Sequence, residues 1–473
     1  MKKLSIIHHR MRLSMLAIAM LLLSSCAKDW LELEPKSEVS ADVLLQTPEG
    51  FSIALNGIYT NLSSKSLYGE YLTHGLVDVL ARCYDLKNTL YDQLKTYDYA
   101  SAGMDQRINS IWATAYTTIA NCNALLQEMD KKDPGFFRDY ERARLEGELL
   151  TIRALLYFDL LRLFAPAPVV QDAVAIPYYA TLTHVPMPEK PTSELLQLII
   201  TDLNRSKQLQ KDFDTRLEAK KDFHRFRFRF GTDQRFFGYS KRGFRMGYYA
   251  TTALLARVAL YAGNTQLAYE NAMEVINDET PEIGATITFT PATVIDVNEY
   301  DRLLSDDLIF CLYRLEHEES FNKVTFLLPN TSQIFGADLN SDYRKKCYLS
   351  ADGRQLLKYD LEQERDGEIL SAIPMIRLSE LYHIAAESLY DNDPDGALQL
   401  LNTLRTKRGC TIPLPSMPDK QAFLDAIIND ARREFVGEGQ LFYLYKRLNK
   451  TILDETGGNQ TLTDKFVLPV TER

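Results

Sequence analysis

The side chains best suited to chemistry are spread along the chain, so the first question is whether any spacing gathers them. His383 and Glu387 lie four residues apart, which on a helix puts both on one face. No second histidine completes a metal site there, and the HExxH pattern is absent. Asp391-Asn392-Asp393-Pro394-Asp395-Gly396 imitates the opening of a calcium loop. Its twelfth position is Asn402 rather than the bidentate glutamate such loops require, and Pro394 stiffens it. The same residues serve as a helix start, with Asp393 as N-cap and Pro394 as the first helical residue. Gly437-Glu438-Gly439 breaks off before the third glycine of a dinucleotide fingerprint, and neither a nucleophile elbow nor a phosphate loop occurs. The 64 Asp and Glu are too many to nominate a glycosidase pair, which is defined by a separation in space. Arg225-Phe226-Arg227-Phe228-Arg229-Phe230 interleaves bases with aromatics, as a nucleic-acid strip would. Strict alternation also marks a half-buried strand, and on an acidic chain that strand, in a hairpin, is the expectation. No catalytic constellation, cofactor site or metal site emerges. The expectation is a non-enzymatic protein, with a glycosidase or peptidase as the weaker rival.

Composition narrows the class. Of 473 residues, 45% are hydrophobic and 25% charged, a globular balance at a length that can bury a large core without metal or disulfide help. The chain carries 26 Tyr and 22 Phe against 2 Trp. That much tyrosine suits surfaces that are apolar on the ring face and hydrogen-bonding at the rim. The first 25 residues read as a leader: Lys2, Lys3, Arg10 and Arg12, then a mostly apolar run of eleven residues from Leu13 to Leu23. That run is too short to span a bilayer and suits a signal peptide. It ends Leu23-Ser24-Ser25-Cys26, the pattern of a bacterial lipobox, so Cys26 is the expected lipidation site and new N-terminus. Several acyl chains would hold the protein nearly permanently, at about 0.8 kcal/mol per buried methylene. Loss of four basic and no acidic residues moves the net charge from −10 to −14, which argues against nucleic acid as a partner. Five widely spaced cysteines remain, Cys83, Cys122, Cys311, Cys347 and Cys410, with neither a CxxC pair nor a zinc pattern.

The elements that must position any site are helical. Residues 26–46 read as a polar tether. Beyond them, apolar residues recur at helical spacing through Phe51–Tyr59, Ile108–Ala124, Leu145–Leu163 and Leu195–Leu203. Pro166 and Pro168 stop the third of these, and Thr192 or Ser193 caps the fourth. Residues 254–276 and 383–405 form a weak repeat: helix, Leu-Tyr, polar turn, second helix. Tyr261 and Ala268 match Tyr390 and Ala397, the arrangement of tetratricopeptide hairpins that stack over a shared core. Between them, residues 281–345 are rich in Thr, Asn, Asp and Pro with short apolar runs such as Leu308–Tyr313, predicting short strands and long loops on the helical frame.

Several segments together resemble the SusD/RagB family of outer-membrane lipoproteins. They include the mature start Cys26-Ala27-Lys28-Asp29-Trp30 and the helix carrying Trp112, Tyr116, Ile119 and Asn121. Arg153-Ala154 with Tyr157-Phe158-Asp159-Leu160 and Arg162-Leu163-Phe164 fits a second family helix, and Ala253–Arg257 with Tyr261-Ala262-Gly263 a third. Ile376-Arg377 through Glu387, then Asn402 through Gly409, then Arg432-Arg433-Glu434-Phe435 with Gly437-Glu438-Gly439-Gln440 follow in order. Leu441 and Leu444 depart from the Arg and Asp usual after the last motif, which marks a divergent subgroup and leaves the cargo class open.

The resemblance implies a mainly α fold: tetratricopeptide-like hairpins in a superhelical frame, with long loops and a few short strands packed on it. Its expected organisation is signal 1–25, tether 26–46, an N-terminal half 47–230, and a C-terminal half 231–473 containing the loop insert 281–345. It also implies a surface-exposed lipoprotein on the outer membrane that binds a nutrient and delivers it to a SusC-like TonB-dependent barrel. The cargo is an oligosaccharide on this reading, with a peptide, or a scaffold role among surface lipoproteins, as the alternative. Sugars are held by aromatic ring faces and by amides that take the hydroxyls. The aromatic loops are 84–99 and 289–343, and the expected ligand residues are Tyr84, Asn88, Tyr91, Tyr300 and Phe321.

Overall fold

The computed structural model describes residues 41–85, 91, 94, 96–101, 103–228, 241–291, 302–313, 328, 331–359, 372–453, 459–460 and 465–470. Contacts divide the chain into two units, Met1–Gly50 and Phe51–Arg473. The described part of the first holds the short helix Ala41–Leu44 and the cap of the next helix, where Thr47 accepts at its hydroxyl from the Gly50 N–H at 3.1 Å. Cys26 and the leader lie outside the described residues.

The second unit is a stack of helices: α1 (Pro48–Leu62, whose last twelve residues it contains), α2 (Leu76–Leu80), α3 (Met104–Asp130), α4 (Glu141–Phe164), α5 (Thr192–Asp214), α6 (Leu217–Phe226), α7 (Tyr248–Tyr261), α8 (Thr265–Ile276), α9 (Tyr343–Tyr348), α10 (Leu378–Leu389), α11 (Pro394–Lys407), α12 (Lys420–Glu434) and α13 (Leu441–Arg447). From α3 onward each long helix packs on the next: α3 on α4, α4 on α5, α5 on α7, then α7, α8, α10, α11 and α12 in turn. Nearest-neighbour stacking of this kind is the repeat-protein solution, in which no hairpin buries its apolar face alone. Helix α4 sits deepest, buried on every side from Arg144 to Phe164. None of the described helices is long and apolar enough to cross a membrane.

The two repeat hairpins are α7–α8 and α10–α11, and α8 packs directly on α10 despite the long insert between them. Ala268 and Ala397 are fully buried at the crossings, where a larger side chain would hold the helices apart. Each second helix starts on a side-chain cap: Asn264 accepts from the Leu267 N–H at 3.1 Å, and Asp393 from the Gly396 N–H at 2.9 Å. The calcium-like segment therefore makes a turn and a cap. Strand β1 (Leu308–Tyr313) is the expected short strand, and it pairs antiparallel with β2 (Ala372–Arg377), which leads straight into α10. Three further two-stranded ribbons complete the sheet structure among the described residues.

Two expectations are corrected: neither Thr192 nor Ser193 caps α5, whose N-cap is Pro191 with no side-chain cap hydrogen bond, and the Arg-Phe run does not begin as a strand. Arg225 and Phe226 are not in a strand; they close α6. Ala219 and Phe223 are buried on one face of that helix, with the Phe223 ring 4.9 Å from that of Tyr249, so the 3.6-residue period outweighs the local alternation. Residues 229–240, the rest of the run, lie outside the described residues.

Candidate functional site

The family-like motifs converge on one buried charge network. Glu434 of α12 accepts from Arg344 at 2.9 Å, from the Arg408 Nε at 3.0 Å and from the Ser379 hydroxyl at 2.9 Å. Arg408 also pairs with Asp307. Arg377 reaches Asp307 at 3.0 Å and Glu438 at 2.8 Å, and the Lys358 ammonium donates to Glu438 at 2.7 Å. Arg344 holds Asp342 at 2.7 Å and Asp430 at 2.8 Å. Burial by itself would raise the Glu434 pKa, but Arg408 and Arg344 hold that carboxyl well below its usual range. Burial brings the Lys358 ammonium down to about 8 despite Glu438. Buried charges persist only when paired in this way. These residues hold β1, β2, α9, α10 and α12 together, and none is free to meet a ligand.

Glu438 belongs to a turn that a second carboxylate organises. Asp78 of α2 accepts from the Gly437 N–H at 2.6 Å, from the Gly439 N–H at 3.0 Å and from the Tyr84 hydroxyl at 3.1 Å. Burial pushes the Asp78 carboxyl up to about 7, although all three donors pull the other way. Gly439 has φ +72°, and a Cβ there would sit 2.2 Å from the Leu72 carbonyl oxygen, so only glycine fits.

The expected ligand residues fall unevenly. Tyr84 is 2% exposed and Tyr91 3%; the Tyr91 hydroxyl donates to Glu70 at 2.6 Å. Neither ring face is open to solvent, so in this structure both tyrosines pack the interior instead of offering a stacking platform. Asn88, Tyr300 and Phe321 lie outside the described residues. Of the neighbouring aromatics, Phe289 lies under the Arg408 guanidinium at 5.0 Å and Phe335 under Arg433 at 5.5 Å, both as packing.

Residues 82–85, at the start of the first loop region, nevertheless meet the second region and the segment that follows it. Arg354 pairs with Asp85 at 2.9 Å, and a crevice of about 10 Å³, room for a single water, is lined by Arg82 and Cys83 from one region and Leu328 and Ile334 from the other. A separate open hollow of about 430 Å³ is lined by Arg302, by the end of the loop insert and by the residues that follow it. Its polar lining comes from Arg302, Asn340, Lys345, Lys346 and Ser350, with Leu339 and Leu357 as apolar wall. Asp342 caps α9 by accepting from the Arg344 N–H at 3.0 Å and so sets the direction of Lys345 and Lys346. Hollows of this size suit small-molecule ligands, and cations with an amide and a hydroxyl are groups that bind oxygen-rich ones. Sequence reasoning missed Arg302, Asn340, Lys345 and Ser350. The only signal was the Lys345-Lys346 pair at the end of a loop-rich insert.

Comparison with known proteins decides the family. A family model described as "Starch-binding associating with outer membrane" matches residues 29–215, and one described as "SusD family" matches 333–466. Together they span about two thirds of the chain. The chain belongs to the SusD/RagB family. A SusD-like protein of Formosa agariphila is 24% identical over 269 residues, covering 55% of this chain and 45% of the relative. A SusD-like protein of Bacteroides ovatus is 20% identical over 198 residues, covering 41% and 34%. The matches thus span less than half the length of these curated relatives. Among solved structures, a SusD superfamily protein from Bacteroides fragilis superposes with a TM-score of 0.68 at 19% identity, over 90% of this chain and 97% of that one. A SusD-like carbohydrate binding protein from Bacteroides vulgatus gives 0.65 at 19% identity, over 86% and 85%. These likenesses establish the mainly α SusD fold. The family motifs named above are accounted for largely by buried ion pairs, which is why they identify the fold and leave the ligand open.

Proposed function

We propose that this chain is a lipid-anchored, surface-exposed binding protein that captures an oligosaccharide on its loop face and passes it to a SusC-like TonB-dependent barrel, without catalysing a reaction. The observation that carries the reading is the open hollow of about 430 Å³ that residues 302–357 line, on a frame of stacked helices. A rigid frame displaying loops is how binding sites are commonly built. Membership of a family described by starch binding and outer-membrane association supports both cargo and place. Cys26 is the proposed anchor, and Tyr300, Phe321 and Asn88 remain proposed contacts beside Arg302 and Lys345.

The test has two arms. Purified protein is titrated against a panel of neutral and acidic polysaccharides, with Arg302→Ala, Lys345→Ala, Tyr300→Ala and Phe321→Ala in parallel. Saturable binding to one glycan that these variants weaken at least tenfold, with unchanged melting, supports the reading. Binding that all four variants leave intact removes the loop face, and turnover of any glycan refutes the non-enzymatic reading. In the second arm, tagged protein is isolated from native membranes in mild detergent. A stoichiometric TonB-dependent barrel is the expected companion; recovery alone, or with other lipoproteins only, favours a scaffold role.

A further inference from the structure

The open hollow on the loop face carries a charge balance opposite to that of the chain. Arg302, Lys345 and Lys346 line it against a single carboxylate, Asp342, while the protein as a whole has a net charge of −10. Asp342 does not neutralise these cations, because Arg344 holds it at 2.7 Å and Arg433 at 3.2 Å. The Arg302 guanidinium has no carboxylate partner among the described residues. It donates to the Cys347 carbonyl at 3.4 Å, which lays it against α9 and leaves most of its five N–H groups unused. Lys345, on the same helix, makes no ion pair or side-chain hydrogen bond among the described residues. Its neighbour Arg344 shows the contrast, being fully buried and held by Asp342, Asp430 and Glu434. One cation of α9 is committed to the frame, and the next is left to the hollow. Arg302 and Lys345 are only partly buried, and the hollow they line is open to solvent.

The rest of the lining narrows what could occupy it. Its apolar part is Leu339, Leu349, Ala351 and Leu357, with no aromatic ring among the described lining residues. A neutral sugar ring depends on flat aromatic faces for its apolar side, and this wall offers none. What it does offer is positive charge and the Asn340 amide, whose side chain has no partner among the described residues. These groups are held in place. The Asp342 cap and the Arg344 pairs fix α9. The wall that follows is a tight hairpin, with the Leu357 N–H donating to the Tyr348 carbonyl at 2.6 Å and the Ser350 N–H to the Gln355 carbonyl at 3.0 Å.

We propose that this hollow selects an anionic glycan, one whose sugars carry carboxylates or sulfate esters, with Arg302 and Lys345 pairing to the charged groups and Asn340 serving a neighbouring hydroxyl. The proposal rests on the loop-face reading above and adds to it the charge of the cargo. A guanidinium fork matches the two oxygens of a carboxylate or sulfate, and an ammonium acts on either as a point charge. A basic hollow on an acidic protein also draws an anion to that place while the remaining surface repels it.

The full-length mature protein is titrated with polygalacturonate, which carries carboxylates, and with carrageenan, which carries sulfates. Fully methyl-esterified polygalacturonate and amylose are the neutral comparisons, and polyglutamate is the acidic peptide. Saturable binding of a charged glycan is expected, and which of the two binds better names the anion. That binding should weaken at least tenfold in Arg302→Gln/Lys345→Gln and fall as salt is raised to about 0.5 M, where the Debye length shrinks to a few ångströms. Arg302→Lys should retain more of it than Arg302→Gln, and all variants should melt with the wild type. Binding of the methyl ester or of amylose as tightly as the better charged glycan overturns the proposal. If the double variant weakens that neutral binding, the loop face still holds the cargo and only its charge selectivity falls. Charged-glycan binding that the double variant leaves intact overturns the proposal and the loop-face reading together. No saturable binding of either charged glycan, or tighter binding of polyglutamate than of both, also overturns it, the last in favour of an acidic peptide.

Discussion

Arg408 ties α11 to both sides of the buried charge network, so Arg408→Met is the most demanding test of how this fold is held. The guanidinium serves Asp307 and Glu434 together, and all three residues are at most 1% exposed. Methionine fills much of the same volume while removing the charge. Asp307 keeps Arg377, and Glu434 keeps Arg344, so neither carboxylate is stranded, but each loses its partner at closest range. Removing one member of a buried pair typically costs about 3–5 kcal/mol, and that is the loss expected at pH 8. The sign with pH follows from the carboxylates. Burial already holds Asp307 above its ordinary pKa, and without Arg408 it rises further. An acid with a raised pKa in the folded state binds a proton there that the unfolded chain does not. Stability is therefore lost as pH climbs from about 4 to the raised value. Only between the wild-type and the variant folded values of Asp307 does the deficit shrink, by up to about 1.4 kcal/mol per unit of pH lowered. Denaturant unfolding of wild type and variant at pH 5, 6.5 and 8 measures both quantities. A deficit below about 1 kcal/mol, or one independent of pH, would refute the view that these charges are held only by each other.

Asp78 predicts a separate window. With its carboxyl raised to about 7 by burial, wild-type stability should fall between about pH 4 and 7 through this group, and Asp78→Asn should flatten that slope while costing about 1–3 kcal/mol, because one amide oxygen replaces two acceptors; unfolding curves at matched pH decide it. Lys358 acts at higher pH: burial lowers its ammonium to about 8, so Lys358→Met should remove a rise in stability between about pH 8 and 10.4, seen in the same curves. Gly439→Ala places a Cβ against the Leu72 carbonyl at a backbone angle that favours glycine; a loss above about 2 kcal/mol is expected, and a melting temperature within error of wild type would contradict the close approach.

Much of this protein is legible without coordinates. Helical period, the Pro166 stop, the Asp393 cap and the Tyr261–Ala268 and Tyr390–Ala397 repeat are local patterns, set by neighbouring residues, and they specify a mainly α, hairpin-built chain. Only the tertiary structure decides what non-local partners determine. The Arg-Phe alternation at 225–226 gives way to a helix because Phe223 finds Tyr249. Tyr84 and Tyr91 turn inward because Asp78 and Glu70 wait there for their hydroxyls. His383, four residues from Glu387, completes no metal site along the chain, and the fold sets its Nε2 3.4 Å from Asp430 of α12, a partner that local spacing does not reveal. Arg302, Asn340 and Ser350 carry no signature of their own and share a hollow because the loop insert is pinned to the frame by Asp307, Asp342 and their arginines. A cap or a period needs only the next few residues, whereas a buried charge or an open hollow depends on what the fold brings against it.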